Sequence, residues 1–267
     1  MKQTEYALVT GATSGIGYEL AKLLAKDGHN LILAARTQAD LDQVKGEFES
    51  YGVNVQTFAV DLSVKDNALG FCREVQDTGL RVTTLVNDAG AGLYGQFKDT
   101  DLERELSIIE LNISSLVILT KHFLNDMLAN NGGKILNLAS IASKLPGPWQ
   151  SVYHGTKAFV LSFSEAIREE LKDTSVTVTA LLPGPTDTRF FESADMLDSK
   201  MLDDEDALYD PAQVAKDGYE AMLAGKDKVI SGFKNKVQVG MSHMMPDSMV
   251  AHNMNEQQKP SEKSSDK

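Results

Sequence analysis

Seven short apolar runs punctuate the chain, separated by longer stretches whose apolar positions recur at helical spacing. The runs are "YALVT" from Tyr6, "NLILAA" from Asn30, "VQTFAV" from Val55, "TTLVN" from Thr83, "GKILNLA" from Gly133, "VTVTALLP" from Val176 and "KVISG" from Lys228. Runs apolar at successive positions belong to strands covered on both faces, the condition of a parallel sheet sandwiched between helices. Strand alternating with helix implies right-handed βαβ units, and the pattern predicts an α/β fold: one doubly wound, Rossmann-type parallel sheet of about seven strands in a single domain. No repeat or low-complexity linker marks a second domain.

The turn after the first run, Thr10-Gly11-Ala12-Thr13-Ser14-Gly15-Ile16-Gly17, leads into a helix with Leu20, Leu23 and Leu24 on one stripe. Glycines permit backbone angles closed to other residues and let a phosphate approach the main chain. The helix N-terminus adds free N–H donors and partial positive charge. A dinucleotide pyrophosphate is the natural occupant. At the end of the second run an acidic residue would hold the ribose hydroxyls of NAD, whereas arginine suits the 2′-phosphate of NADP. The chain has Ala34-Ala35-Arg36-Thr37 there. With the Thr13 and Ser14 hydroxyls nearby, NADP(H) is the preferred cofactor and NAD(H) the second candidate.

A second cluster lies in "SVYHGTKAFV", Ser151 to Val160. Positions four apart share a helix face, so Lys157 stands beside the Tyr153 hydroxyl and favours its ionised form. Alone, the pair is better read as a half-buried core tyrosine and a solvated surface lysine. Four features in order change that reading. With the glycine turn, Asn112 in "ELNISSL", Ser140 closing "KILNLAS" and the Tyr153/Lys157 pair, the chain resembles the short-chain dehydrogenase/reductase family. The likeness is greatest to its bacterial ketone and aldehyde reductase branch, close to steroid and 3-ketoacyl reductases, and runs from about Tyr6 to Gly232.

The resemblance implies Asn112, Ser140, Tyr153 and Lys157 as the catalytic set, with Gly11, Gly15 and Gly17 on the pyrophosphate. It implies Asp61 and Leu62 in "VDLS" beside the adenine. "LVNDAG" is similar to the family's N-N-A-G: Asn87, Ala89 and Gly90 match and Asp88 departs. Pro183, Gly184, Thr186 and Thr188 in "LLPGPTDT" would hold the carboxamide and nearby phosphate. Tyr153 would donate the proton to a carbonyl oxygen. Lys157, aided by an oxidised nicotinamide, would lower the tyrosine pKa from about 10 and grip the ribose. Ser140 would stabilise the substrate oxygen, and Asn112 would hold a water linking Lys157 to solvent. No metal is required. The reading is an NADPH-dependent carbonyl reductase, reversible as an alcohol dehydrogenase. The alternatives are a non-enzymatic NADP-binding regulator on the same fold and a nucleotide-sugar epimerase or dehydratase, for which the chain has little length left.

The segment 188–210 reads as a substrate loop, with Phe190, Phe191 and Met196 lining an apolar pocket and the acids from Asp203 to Asp206 on a solvated face. Asp210 then caps a helix with Pro211 at its first position, extending to about Leu223. The extension 233–254 is rich in methionine, which suits adaptable surfaces. Packing on its own domain is expected, with a pocket cover, a subunit contact or a membrane contact as alternatives. The catalytic domain is read as 1–254 and the polar stretch 255–267 as a mobile tail. His154 is read as packing or surface.

Composition narrows the partners. A formal charge of −12 argues against nucleic acid, whose phosphates need a basic face. The single cysteine, Cys72, excludes an intramolecular disulfide and a cysteine-built metal site. The first strand starts at Tyr6, leaving no room for a cleaved leader, and the apolar runs look too short to span a bilayer. A cytoplasmic protein is expected, assembling as a homodimer or homotetramer by analogy with the family.

Overall fold

The computed structural model describes residues 5–203, 208–242 and 244–261. The chain runs β1 (Glu5–Thr10), α1 (Gly15–Lys26), β2 (Asn30–Ala35), α2 (Gln38–Glu49), β3 (Val55–Ala59), α3 (Lys65–Asp77) and β4 (Arg81–Asn87). It continues through α4 (Leu102–Ile109), a π-helical turn Glu110–Ser115, α5 (Leu116–Ala129), β5 (Gly133–Leu138), α6 (Ser151–Glu170) and β6 (Val176–Leu182). A short α7 (Phe190–Ser193), α8 (Pro211–Leu223), β7 (Lys228–Ile230), α9 (Phe233–Ser242) and α10 (Asp247–Gln258) complete it. All seven strands pair in parallel in the order β3-β2-β1-β4-β5-β6-β7. The order reverses between β1 and β4, which opens the crevice where ligands of doubly wound sheets bind.

Successive strand side chains point to opposite faces, and the sheet divides its apolar residues accordingly. Ala7, Val9, Leu31, Leu33 and Leu181 form one core layer with Leu20 and Leu24 of α1 and with Val214 and Met222 of α8. Tyr6, Leu8, Ile32, Leu85 and Ile135 form the other with Phe71 of α3, Phe123 of α5 and Ile167 of α6. Helix α8 starts and stops where capping chemistry predicts: Asp210 accepts from the Ala212 N–H, and Pro211 occupies the first turn.

Two expectations change. Residues Leu102–Ala129 form one continuous helical stretch, long and apolar enough by length and composition to cross a membrane, with a mean hydropathy of 1.3 over its best window. The apolar residues are dispersed among polar ones, so no single run advertises the length. The stretch packs Leu119, Phe123 and Met127 into the second core layer. The other change is at the C-terminus. No mobile tail begins at Asn255, because α10 extends through Gln258, which is buried, and Ser199 and Pro260 form an isolated antiparallel bridge. Residues 262–267 lie outside the described residues, as do 204–207 of the acidic stretch.

Candidate active site

The crevice at the C-terminal ends of β1 and β4 opens into a cavity of about 1000 Å³. The glycine turn forms one wall. Gly11 and Gly15 have φ of +69° and +58°, left-handed angles that favour glycine. A Cβ at Gly17 would collide with the Gly11 carbonyl and with Asp88 Oδ2. Thr13, Ser14 and Ile16 line the same wall, and Arg36 lies exposed at the cavity edge after β2, with Thr37 and Asp40 beside it. Asp61, Leu62, Ala89, Gly90, Pro183, Gly184, Thr186 and Thr188 also line the cavity.

On the opposite side, Ser140 follows β5 while Tyr153 and Lys157 lie on the first turns of α6; all three border the cavity. Lys157 is buried and its Nζ donates to the Leu138 carbonyl at 2.8 Å. Burial draws its pKa down to about 8, partly offset by the negative charge of Asp88. Burial pushes Tyr153 up to about 12, opposed by a hydrogen bond with Ser140. The expected lowering of Tyr153 by Lys157 is therefore not what the chain's own residues produce. The ammonium lies 5.8 Å from the tyrosine ring centroid, and loss of solvent around the phenol dominates.

Gly17, Asn87 and Asn112 do not line the cavity; they stand one layer behind it. Asn87 is buried and donates to Thr120 Oγ1 at 3.0 Å and Asn137 Oδ1 at 2.9 Å, and Asn137 in turn donates to Ser164 Oγ on α6. This network ties β4 and β5 to α5 and α6. Asn112 lies in the π-helical turn. Its Oδ1 accepts from the Ala91 N–H, and its Nδ2 donates to the Ala91 carbonyl and to Thr156 Oγ1, each at 2.9 Å. Its side chain thus clamps the loop after β4 to α6, with both amide hydrogens on protein partners and one lone pair of Oδ1 remaining. Gly90 fits between: a Cβ there would lie 3.3 Å from Asn112 Oδ1 and 3.4 Å from Lys157 Nζ.

Asp88, the departure from N-N-A-G, lies against the glycine turn. Its backbone N–H and that of Ala89 both donate to Thr10 Oγ1, at 3.1 and 3.0 Å. Its carboxyl is pushed up to about 7 by burial, against the pull of Lys157 and a hydrogen bond from the Gly17 N–H; Oδ1 has no hydrogen-bond partner.

Several site residues carried no signal in the sequence. Gly92 gives Phe190 and Tyr153 their room, since a Cβ there would approach the Phe190 ring to 2.7 Å. Gln150, Asn235, Met254 and Gln258 line the cavity from α6 and the C-terminal helices. His154 is buried packing: Nδ1 donates to the Leu145 carbonyl at 2.8 Å and Nε2 accepts from Gln258 Nε2 at 3.2 Å. In the substrate loop Phe190, Phe191 and Met196 all line the cavity, as expected, but they differ in burial. Phe191 and Met196 are buried in a satellite core with Ala194, Tyr94 and Met201, whereas Phe190 is only half-buried, its ring 5.1 Å from that of Tyr153.

This arrangement coincides with a family-wide match. The short chain dehydrogenase profile matches residues 5–196, which include the glycine turn, Asn112, Ser140, Tyr153 and Lys157. The chain belongs to the short-chain dehydrogenase family. An uncharacterised oxidoreductase of Bacillus subtilis, YvrD, is 40% identical over 179 residues, 67% of either chain. A very-long-chain 3-oxoacyl-CoA reductase of Coprinopsis cinerea is 40% identical over 184 residues, 66% of this chain and 53% of that protein, so the match spans about half the fungal reductase. A Sphingobium yanoikuyae short-chain dehydrogenase in complex with NADPH superposes with TM-score 0.79 at 24% identity, covering 91% of this chain and 96% of the other. An alcohol dehydrogenase from Thermococcus sibiricus complexed with 5-hydroxy-NADP gives 0.73 at 25% identity, over 85% and 95%.

Proposed function

We propose that this short-chain dehydrogenase is an NADPH-dependent carbonyl reductase, with alcohol oxidation as the reverse reaction. The observation that carries the reading is that Ser140, Tyr153 and Lys157 face a cavity whose other wall is the glycine turn and Arg36. The left-handed glycines and the α1 N-terminus suit a pyrophosphate, and the exposed Arg36 guanidinium suits a 2′-phosphate. The Thermococcus sibiricus relative, which holds an NADP analogue, supports the same choice. NADH is the weaker candidate.

A bound nicotinamide supplies the hydride. The remaining work falls to the chain's own residues. As negative charge grows on the carbonyl oxygen, Ser140 Oγ donates a hydrogen bond and Tyr153 Oη delivers a proton. A phenol held at about 12 is protonated throughout the neutral range, the form a donor needs. Lys157, fixed by the Leu138 carbonyl, presents its remaining donors toward a ribose and its charge toward the phenol.

The test is a screen of ketones, aldehydes and secondary alcohols with NADPH or NADP⁺, followed by variants. Tyr153→Phe is expected to keep the fold and NADPH binding while lowering turnover at least about a hundredfold. Lys157→Ala is expected to lower turnover and cofactor affinity together. A folded Tyr153→Phe protein working at the wild-type rate refutes the assignment of the proton. A wild-type protein that binds NADPH yet turns over no carbonyl or alcohol is a regulator on the same fold.

A further inference from the structure

A second cavity, of about 460 Å³, lies between α9 and α10. Its walls are almost entirely apolar: Phe233, Val237 and Met241 from α9 face Val250 and Met254 from α10, with Leu145 at the base. Val250 and Met254 pack on Leu145 in a small buried cluster of their own, which anchors α10 at the base of the cavity and leaves α9 as its other wall. Phe233, Val237 and Met241 are left exposed there. The cavity is continuous in its lining with the catalytic one. Leu145, Lys234, Gln238, Met254 and Gln257 border both. The backbone carbonyl of Leu145 receives His154, the residue next to Tyr153.

From this continuity we infer that the groove between α9 and α10 takes the aliphatic tail of the carbonyl substrate, making long-chain ketones and aldehydes the preferred class. The inference rests on the carbonyl-reductase reading, which places the reducible carbon beside Tyr153. An unbranched chain leaving that centre past Leu145 and Met254 meets apolar side chains, while Lys234 and Gln238 stand at the junction and can serve a polar substituent. Methionine suits the role because its unbranched thioether adapts to chains of varying length.

The experiment measures kcat/KM with NADPH for 2-butanone, 2-hexanone, 2-octanone and 2-decanone. Each methylene that reaches the groove should raise kcat/KM by about fourfold, the value of a buried methylene. Val237→Glu and Met241→Glu alter exposed positions, so the fold should survive; they should flatten the rise with chain length and leave 2-butanone unchanged. A wild-type profile that is flat with length, alongside Tyr153-dependent reduction of 2-butanone, overturns the groove and leaves carbonyl reduction standing.

A binding readout separates the two ideas if no ketone is reduced. Trp149, the only tryptophan in the chain, donates to Asn255 Oδ1 on α10 at 3.1 Å and stacks on Tyr94, so its fluorescence reports on this helix. Saturable change with 2-decanone, absent with 2-butanone and lost in Met241→Glu, supports the groove without turnover. No saturable change with 2-decanone overturns it. A Met241→Glu protein that keeps the wild-type length dependence but falls in native mass shows that the groove seats a second copy of the chain, which also overturns the inference.

Discussion

Asp88 concentrates the electrostatics of this site in one side chain. It lies where Gly11 and Gly17 leave no space for a Cβ, and its carboxyl titrates near 7 because burial penalises the charge more than Lys157 and the Gly17 N–H favour it. The folded protein therefore holds the proton more tightly than the unfolded chain, whose aspartate titrates near the ordinary 3.8. Its stabilising contribution is complete below about pH 4, declines as pH rises toward about 7 and is flat beyond. Asp88→Asn should remove that decline: melting temperature against pH should show the variant gaining on the wild type between about 4 and 7. The same change withdraws the negative charge that supports the Lys157 ammonium, so the alkaline limb of activity should move to lower pH. The replacement itself was legible as a departure in "LVNDAG". Its consequence was not, because the partners come from β1, α1 and α6.

The element that most needed the structure is the segment from Thr188 to Asp203. Phe190, Phe191 and Met196 read as one apolar pocket lining, and all three do border the cavity. Folding divides them, with Phe191 and Met196 inside a satellite core and Phe190 turned against Tyr153. Phe190→Ala should raise KM for bulky ketones while leaving melting temperature and NADPH affinity near the wild type. Phe191→Ala should melt the segment instead, since emptying a buried phenylalanine site costs about 3–5 kcal/mol. Steady-state kinetics and thermal melts of the two variants separate these outcomes. The segment is held from outside as well. The Tyr94 N–H donates to the Ala194 carbonyl, and Tyr94 Oη and Ser199 Oγ both donate to the Gln258 carbonyl, at 2.5 and 3.2 Å. Helix α10 thus straps this segment and borders the cavity, which agrees with the pocket cover that was one alternative for the methionine-rich extension.

For the whole molecule, the proposed NADPH preference rests on where the sheet order reverses, because the crevice between β1 and β4 carries the glycine turn and the end of β2 brings Arg36 to its edge. A charged hydrogen bond to phosphate contributes roughly 1.5–3 kcal/mol, about tenfold to a hundredfold in affinity. NADPH at a hundred times its Kd should stabilise the protein by about 2.7 kcal/mol, a rise of several degrees in Tm, with a smaller rise for NADH at equal concentration. Arg36→Asp should abolish or invert that difference, and equal shifts in the wild type would refute the preference. The seven strands, the parallel class of their sheet, the glycine turn and the Tyr153/Lys157 pair were determined by the sequence by itself, since each depends on local periodicity or on spacing within one element. The tertiary structure alone decided the order of the strands, that Asn87 and Asn112 brace the cavity from behind, that burial pushes the Tyr153 phenol up to about 12, and that α10 packs against the 188–203 segment. Those outcomes depend on contacts between residues far apart in the chain and on the solvent they exclude, and neither quantity is encoded in a local pattern.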